Sequence, residues 1–232
     1  MTPGGYLVYA GAVVVAYLLG AIPFGFVLVK VIKGVDVRTV GSGNIGATNV
    51  ARAGGAFLGI VAFVLDVAKG FVAATAIPLG AYLIANPSSS AATGFFSQLI
   101  AGKGFTDLRM LCGLAAIFGH VWTVFLGFKG GKGVATALGV LVGLAPLPSA
   151  IAFAVWIVVA APSGYVSLGS IVAAIALPVA YALVHRANLA EDWRLFAFTI
   201  LVAALVIIRH RTNMKRLAAG TESKMWSRRK SD

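Results

Sequence analysis

Two glycine-rich polar segments of the sequence have the composition of phosphate-binding loops. The first, Gly41 to Asn49 (GSGNIGATN), combines three glycines with hydroxyl and carboxamide side chains, and Arg52 follows it closely. The second, Lys129 to Gly133 (KGGKG), places two lysines among three glycines. Flexible glycines allow successive backbone amides to point at one anion, and the cations add charge. If a helix begins near Ala47, its N-terminus adds partial positive charge to the first segment.

Neither segment fits a nucleotide-binding motif. The first lacks the strand, turn and helix context of a dinucleotide fingerprint, and in the second Gly133 follows Lys132 where a Walker motif needs serine or threonine. Plainer alternatives are a loop of turn-forming residues for the first segment and a pair of membrane-surface lysines for the second. The glycines of the second segment favour phosphate binding, because simple anchors need no backbone freedom.

Two further polar pairs have the spacing of residues on one helical face. Ser167 and Ser170 lie one turn apart at a predicted helix start, and His210 and Asn213 are three residues apart after an apolar segment. The serines could instead bond to the preceding turn, and the histidine could be an ordinary interfacial residue. These pairs are therefore candidate site residues with structural alternatives.

Asp66 and Lys69 are two ionisable residues within an apolar segment. Charges at membrane depth are costly unless they are paired, and this spacing allows a helix to pair them. We expect a structural role first and a functional role second.

The elements that must position these residues are membrane helices. With 59% hydrophobic and only 11% charged residues among 232, the chain has too little polar surface for a soluble globule. A bilayer core needs about 20 apolar residues of helix, which predicts an all-α polytopic membrane protein. The apolar segments are 6–29, 56–84, 110–128, 134–161, 165–184 and 195–208.

The distribution of lysine and arginine predicts how these segments cross the membrane. Most of the basic residues lie in the two glycine-rich regions and in the C-terminal tail, which places all three on the cytoplasmic side. An even number of crossings must then separate the second region from the tail. Segment 134–161 is the candidate for two crossings because Pro146 and Pro148 split it into legs of roughly 14 residues. We predict seven spans, with the N-terminus outside and the C-terminus inside; a re-entrant hairpin is the alternative.

The same reasoning predicts the remaining organisation. Residues 1–222 form a single transmembrane domain, and residues 223–232 form a basic cytoplasmic tail attracted to anionic lipid. Residues 86–107 are expected to form an outside loop. The few basic residues left for the outer face are Lys103, Arg109, Arg186 and Arg194.

The ordered motifs resemble one known family, the acyl-phosphate:glycerol-3-phosphate acyltransferases of bacterial inner membranes. The motifs are GSGNIGATN with Arg52, GH with FKGGKGVAT, YVSLGS, and RHRTN with MKRL and a later GTE. Supporting segments are YLLGAIPFG, VDVRTVGSGN and LDVAKG, so the resemblance runs from about residue 17 to 222. The sequence departs from the family at Thr123, where many relatives have proline, and at Ser163 and Gly164, where they usually have Thr-Arg.

The resemblance implies the activity and the partners. The family transfers a fatty acyl group from acyl phosphate to the sn-1 hydroxyl of glycerol 3-phosphate, which gives lysophosphatidic acid and phosphate, the first acylation of phospholipid synthesis. It implies seven helices in the bacterial inner membrane, with the active site facing the cytoplasm. It also implies no metal, no other cofactor, no acyl-CoA or acyl carrier protein and no nucleic acid; the partners are the two substrates and membrane lipid.

The resemblance and the residue chemistry together define a candidate site. The expected catalytic residues are His210, Asn213 and Ser167. The expected substrate-binding residues are Ser42, Gly43, Asn44, Thr48, Asn49, Arg52, Lys129, Gly130, Gly131, Lys132, Gly133 and Ser170. Which of the two lysines contacts which phosphate stays open.

Two catalytic schemes and one other class of protein stay open. In the first scheme the phosphate of the acyl donor takes the hydroxyl proton while His210 and Asn213 orient glycerol 3-phosphate; in the second His210 is the general base. The first scheme needs no catalytic triad, because phosphate is already a good leaving group. A transporter of a phosphorylated metabolite is the alternative function, but it would need cationic clusters on both faces or at the midplane.

Overall fold

The computed structural model describes residues 3–86 and 103–225, and helices dominate this part of the chain. The helices are α1 (Pro3–Ala21), α2 (Phe24–Lys33), α3 (Ala47–Gly54), α4 (Ala56–Ala74), α5 (Ala76–Ala85), α6 (Lys103–Val121), α7 (Val134–Leu144), α8 (Pro146–Ser163), α9 (Val166–Val184), α10 (Trp193–Arg209) and α11 (Arg211–Ala218). Short 3-10 turns cover Val37–Thr39 and Val124–Leu126. The described residues contain no β-strand, so the all-α prediction is confirmed for them.

Several helices have the length and composition of membrane spans. Five described segments are apolar enough to cross a bilayer, and a sixth is possible if the bent pair α10 and α11 forms one span. The segments are Gly4–Lys33, Ala56–Ala85, Phe105–Leu126, Pro146–Ser163 and Val166–Val184. Large apolar side chains such as Phe57, Val158 and Leu183 are exposed, which suits a surface that faces lipid. The seven-span count stays a prediction.

The proline-rich segment breaks its helix as predicted, but the two legs are unequal. Helix α7 has 11 residues and ends at Leu144, whereas α8 has 18 residues and begins at Pro146. Proline suits the first position of a helix, where its missing N–H would have no partner. The expected division into equal legs was wrong because the break lies before both prolines rather than between them.

Two compact units make up the chain, Met1–Leu144 and Ala145–Asp232. In the first unit, α1 packs on α6 and α4 packs on α7. Glycines at these contacts allow the backbones to approach closely: a Cβ on Gly119 would overlap the Tyr17 carbonyl, and one on Gly139 would overlap the Val67 carbonyl. Such small-residue packing replaces the hydrophobic effect as the source of helix association within lipid. That residues 1–222 form a single domain stays a prediction.

Arg109 lies within α6 and is buried, although the sequence analysis left it for the outer membrane face. Its guanidinium donates to the carbonyl of Ala74 and to that of Gly143. The Ala74 carbonyl has no amide partner four residues on, because Pro78 lacks an N–H. Arg109 therefore satisfies carbonyls freed where α4 and α7 end, a role that the count of basic residues could not reveal.

In the second unit, α9 packs against α8, α10 and α11. Gly169 allows the close approach of α9 to α8, where a Cβ would lie 2.8 Å from that of Ala160. The chain bends by 56° between α10 and α11, at His210. His210 is the N-cap residue of α11 and Asn213 is the third residue of that helix, so the shared face of the two stays a prediction.

Parts of the predicted loops lie outside the described residues. Of the expected outer loop 86–107, residues 87–102 are not described, and α6 already begins at Lys103. Of the basic tail, residues 226–232 are not described. The described start of the tail folds back onto its unit: the Met225 amide donates to the Gly164 carbonyl, and Lys224 lies 5.4 Å from the centre of the Tyr165 ring.

Candidate active site

The first glycine-rich segment leads into a helix, as the sequence predicted. Helix α3 begins at Ala47, and Gly46 is its N-cap residue. Gly41 and Gly43 have φ values of 57° and 68°, which L side chains rarely adopt, so glycine is required at both turns. The first amides of a helix have no intrahelical partner and can bind an anion.

Asn49 holds this segment in shape. Its side-chain nitrogen lies within 2.9 Å of three carbonyl oxygens, and its side-chain oxygen accepts from the Ser42 amide at 2.9 Å. The three carbonyls belong to Val37, Val40 and Asn44. The residue is only 2% exposed. Its carboxamide is therefore a scaffold for the segment, and the expected contact of Asn49 with substrate stays a prediction.

The other residues predicted to bind substrate from this segment lie nearer the surface. Ser42, Gly43 and Arg52 are exposed, and Thr48 and Asn44 are half-buried. The segment is compact: Asn44 Oδ1 accepts from the Gly46 amide at 2.8 Å, and a Cβ on Gly41 would lie 3.4 Å from Arg52 Cδ. The guanidinium stem thus runs beside the first glycine, which brings cation, hydroxyl and amides to one small region.

The second glycine-rich segment lies against the end of α6. The amides of Gly130 and Gly131 donate to the carbonyls of Val121 and His120 at 3.2 and 3.0 Å. Phe128 and Gly133 have φ values of 61° and 82°, and the segment leads into α7 at Val134. This strained, well-bonded path presents Lys129 as exposed and Lys132 as half-buried. The segment is thus a fixed turn that carries two cations, and it lies directly before the N-terminus of α7.

A buried polar cluster lies beneath the second segment. Asp66 and Lys69 form the predicted ion pair, with 2.7 Å between Oδ1 and Nζ. His120 joins them, with its Nδ1 3.5 Å from the same oxygen. Lys69 also donates to the Ile22 carbonyl at 2.8 Å, and the hydroxyl of Thr123 donates to the Ala21 carbonyl at 2.6 Å. Side chains from α4 and from the turn after α6 thus satisfy the carbonyls at the break between α1 and α2.

The second unit has its own polar centre, the carboxylate of Glu222. Oε1 accepts from Ser167 Oγ at 2.7 Å and from Asn213 Nδ2 at 2.6 Å. Oε2 accepts from Arg216 Nε at 2.7 Å. One acid therefore joins the start of α9 to α11, and it fixes two of the three residues that were expected to be catalytic.

Opposing effects act on the pKa of Glu222. Burial alone would raise the pKa of this carboxyl, but hydrogen bonds from Ser167, Arg216 and Asn213, together with the charge of Arg216, outweigh it and lower the pKa. At neutral pH the side chain is therefore an anion held by three donors.

The remaining predicted residues of this unit are buried. His210 is 2% exposed, and its Nδ1 lies 2.8 Å from the Val206 carbonyl oxygen. Because a carbonyl can only accept, Nδ1 carries a proton there, and the lone pair of the neutral ring is on Nε2. Ser170 donates to the Val166 carbonyl at 2.8 Å and accepts from Trp156 Nε1 at 3.3 Å. The alternative in which this serine bonds to the preceding turn is thus confirmed.

Sequence reasoning missed the roles of three residues. Glu222 was visible as an acid within a basic C-terminal region, and this charge contrast was the signal available. His120 was noted in its motif but was not linked to Asp66. Thr123 was treated as a departure from a family pattern, yet its buried hydroxyl bonds the end of α1.

The fold and these sites define an all-helical integral membrane protein with cationic, amide-rich loops suited to anions. Residues 10–220 match the family described as glycerol-3-phosphate acyltransferase, and the chain belongs to that family.

Individual relatives agree over nearly the whole chain. A glycerol-3-phosphate acyltransferase of Geobacter sulfurreducens is 44% identical over 212 residues, which is 90% of this chain and 94% of the relative. A crystal structure of PlsY (YgiH), an integral membrane glycerol 3-phosphate acyltransferase in its glycerol 3-phosphate form, is 40% identical with a TM-score of 0.75. It covers 93% of this chain and 94% of that chain. The lysophosphatidic acid form of PlsY is 39% identical, with a TM-score of 0.73 and the same coverage.

Proposed function

We propose that this protein transfers a fatty acyl group from acyl phosphate to the sn-1 hydroxyl of glycerol 3-phosphate. The hydroxyl oxygen attacks the acyl carbonyl carbon, the bond from that carbon to the phosphate oxygen breaks, and the hydroxyl proton leaves with a phosphate oxygen. The products are lysophosphatidic acid and inorganic phosphate, the first acylated intermediate and the by-product of phospholipid synthesis.

The observation that carries this proposal is the pair of glycine-rich, cationic segments in a chain that belongs to the acyltransferase family. Both substrates carry a phosphate, and both segments combine cations with backbone amides, which is the donor set that phosphate requires. Relatives named glycerol-3-phosphate acyltransferase match nearly the full chain. The reported relatives give no support to a transporter.

The residue roles follow from the same chemistry. Ser42, the amides of the first segment and Arg52 bind one phosphate, and Lys129 and Lys132 bind the other. Ser167, His210 and Asn213 orient glycerol 3-phosphate, with Asn213 and Ser167 held in place by Glu222. Preorganised donors stabilise the oxyanion and the departing phosphate, which is usually the largest contribution to such a reaction.

The membrane arrangement is part of the proposal. The helices cross the bacterial inner membrane seven times, with the N-terminus outside, and the basic segments and the C-terminus face the cytoplasm. Lysines and arginines of short loops favour this orientation. The acyl chain of the donor stays in the bilayer, and no acyl-CoA or acyl carrier protein is used.

Purified protein in detergent tests the reaction directly. With acyl phosphate and glycerol 3-phosphate together, we expect phosphate release and lysophosphatidic acid in equal amounts. With acyl-CoA in place of acyl phosphate, we expect no product. Absence of phosphate release, combined with uptake of glycerol 3-phosphate into vesicles that contain the protein, would favour the transporter instead.

A substitution at His210 separates the two catalytic schemes. His210→Gln retains hydrogen bonding but removes proton acceptance at neutral pH. We expect KM for glycerol 3-phosphate to rise about 10-fold while kcat at saturation falls by less than about 10-fold, because the substrate phosphate takes the proton. A fall in kcat of about 100-fold or more with unchanged KM would instead assign His210 as the general base.

A further inference from the structure

The buried cluster of Asp66, Lys69 and His120 is not needed for the reaction as described above, although it is costly to maintain. Its three side chains are at most 4% exposed. Charges at this depth are stable only when they are paired and hydrogen-bonded. Lys69 is paired with Asp66 and bonded to the Ile22 carbonyl, which anchors the carboxylate to the break between α1 and α2.

His120 is the member of the cluster that contacts the second glycine-rich segment. Its Nδ1 lies 3.5 Å from Asp66 Oδ1, the same oxygen that is paired with Lys69 at 2.7 Å. The carboxylate is therefore the group that orients the imidazole. The opposite ring nitrogen, Nε2, lies at the second glycine-rich segment: a Cβ on Gly131 would overlap it, with ring carbons 2.9 and 3.0 Å away.

The backbone of the same residue holds the same segment. The His120 carbonyl accepts from the Gly131 amide at 3.0 Å, and the Val121 carbonyl accepts from the Gly130 amide at 3.2 Å. The segment thus rests on the His120 ring on one side and on carbonyls at the end of α6 on the other. Lys129 and Lys132 flank the two glycines that make these contacts.

We propose that Asp66 and His120 are positioning residues for acyl transfer: the carboxylate orients the imidazole, and the imidazole sets the path of the segment from Lys129 to Gly133. Asp66 is itself held by Lys69. A purely structural ion pair would stabilise the protein but would leave the segment unchanged when the pair is altered. The inference rests on the proposed role of this segment in binding a substrate phosphate.

Asp66→Asn and His120→Gln provide the first test, with His185→Gln as the matched control in the second unit. We expect both test variants to lose about 100-fold in kcat/KM for the substrate whose phosphate the lysines bind, as small misplacements of binding groups do. KM for the other substrate should change little. The double variant should lose no more than either single variant, because both substitutions break one chain of contacts.

Hydrogen exchange gives a readout that does not depend on turnover. We expect faster amide exchange in residues 128–133 of both test variants and unchanged exchange there in His185→Gln. If the wild-type protein releases no phosphate but the exchange result holds, the proposed function fails, and what stands is that Asp66 and His120 set the path of the segment from Lys129 to Gly133. Unchanged exchange and unchanged KM values in folded variants would overturn the positioning role alone.

A steric test uses the two neighbouring glycines. In Gly131→Ala the new methyl group would clash with the His120 side chain. In Gly130→Ala it would clash with the His120 backbone carbonyl. Gly131→Ala should therefore lose more activity than His120→Ala alone, and adding His120→Ala to it should restore activity to the level of the His120→Ala single variant, as relief of a local clash predicts. The loss in Gly130→Ala should not recover.

Equal recovery in both glycine backgrounds, or recovery in neither, would overturn the proposal. If every Asp66 and His120 variant loses its cooperative thermal transition in detergent, the cluster serves stability, and the positioning role is likewise rejected.

Discussion

Glu222→Ala is expected to remove most of the activity and to lower the thermal stability of the protein sharply. The substitution leaves Ser167, Asn213 and Arg216 without the acceptor that they share. The Glu222 side chain is 8% exposed and that of Arg216 is 40% exposed, so the main cost is that of leaving buried donors without an acceptor, about 1–3 kcal/mol for each such group. Assays of phosphate release and thermal unfolding in detergent measure both effects, and we expect kcat/KM to fall about 1,000-fold, as loss of several aligned polar groups does.

The exposed Glu191 provides the control, since Glu191→Gln removes a carboxylate from the surface of the same unit. Glu222→Gln should give an intermediate loss, because the amide still accepts from Ser167 or Asn213 but no longer attracts Arg216 by charge. Wild-type stability and activity in Glu222→Ala would contradict the assignment of this carboxylate as the centre of the unit.

Stability should also depend on pH through this residue. The pKa of Glu222 is lowered in the folded protein because its hydrogen bonds and the Arg216 charge outweigh burial. Its contribution is therefore fully present above the ordinary glutamate pKa of about 4.3 and is lost as pH falls through the lower folded value. The difference in Tm between the wild type and Glu222→Gln should be constant from neutral pH down to that region and should shrink below it.

Substitution of the two lysines of the second segment should give unequal losses. Lys132→Met should lower kcat/KM by about 100- to 1,000-fold, the effect of removing one donor from a preorganised anion site. Lys132 is half-buried, and a partly desolvated charge acts more strongly than a solvated one. The exposed Lys129 should matter less, with a loss of about 10-fold that becomes smaller at high salt.

Lys33→Met is the matched control, because Lys33 is an exposed lysine at the end of α2, outside both glycine-rich segments. KM measured separately for each substrate identifies the phosphate that each lysine binds. Near-wild-type kinetics in both lysine variants, singly and together, would show that the second segment does not bind a substrate phosphate.

Local signals in the sequence were sufficient to predict much of the helical structure. The start of α3 at Ala47 and the break near Pro146 were predictable because glycine and proline act on the backbone within a few residues. The Asp66 and Lys69 pair was predictable because its spacing belongs to one helix. The family resemblance supplied the activity, which composition alone could not have done.

The contacts that were missed join residues far apart in the sequence. Glu222 meets Ser167 only because the chain folds back after α11 onto the start of α9. His120 meets Asp66 only because α6 packs on α4. The bend at His210 was missed because the residues around it include neither glycine nor proline, so no local signal marks the end of α10.

The buried Arg109 links the assembly of three helices of the first unit. Until α6 enters the bilayer, the Ala74 carbonyl lacks its arginine donor, and until α7 follows, the guanidinium lacks its second acceptor. Unsatisfied backbone groups and a lone guanidinium are both unfavourable in hydrocarbon. During biosynthesis these groups therefore find their partners only when α4, α6 and α7 have all left the ribosome and meet.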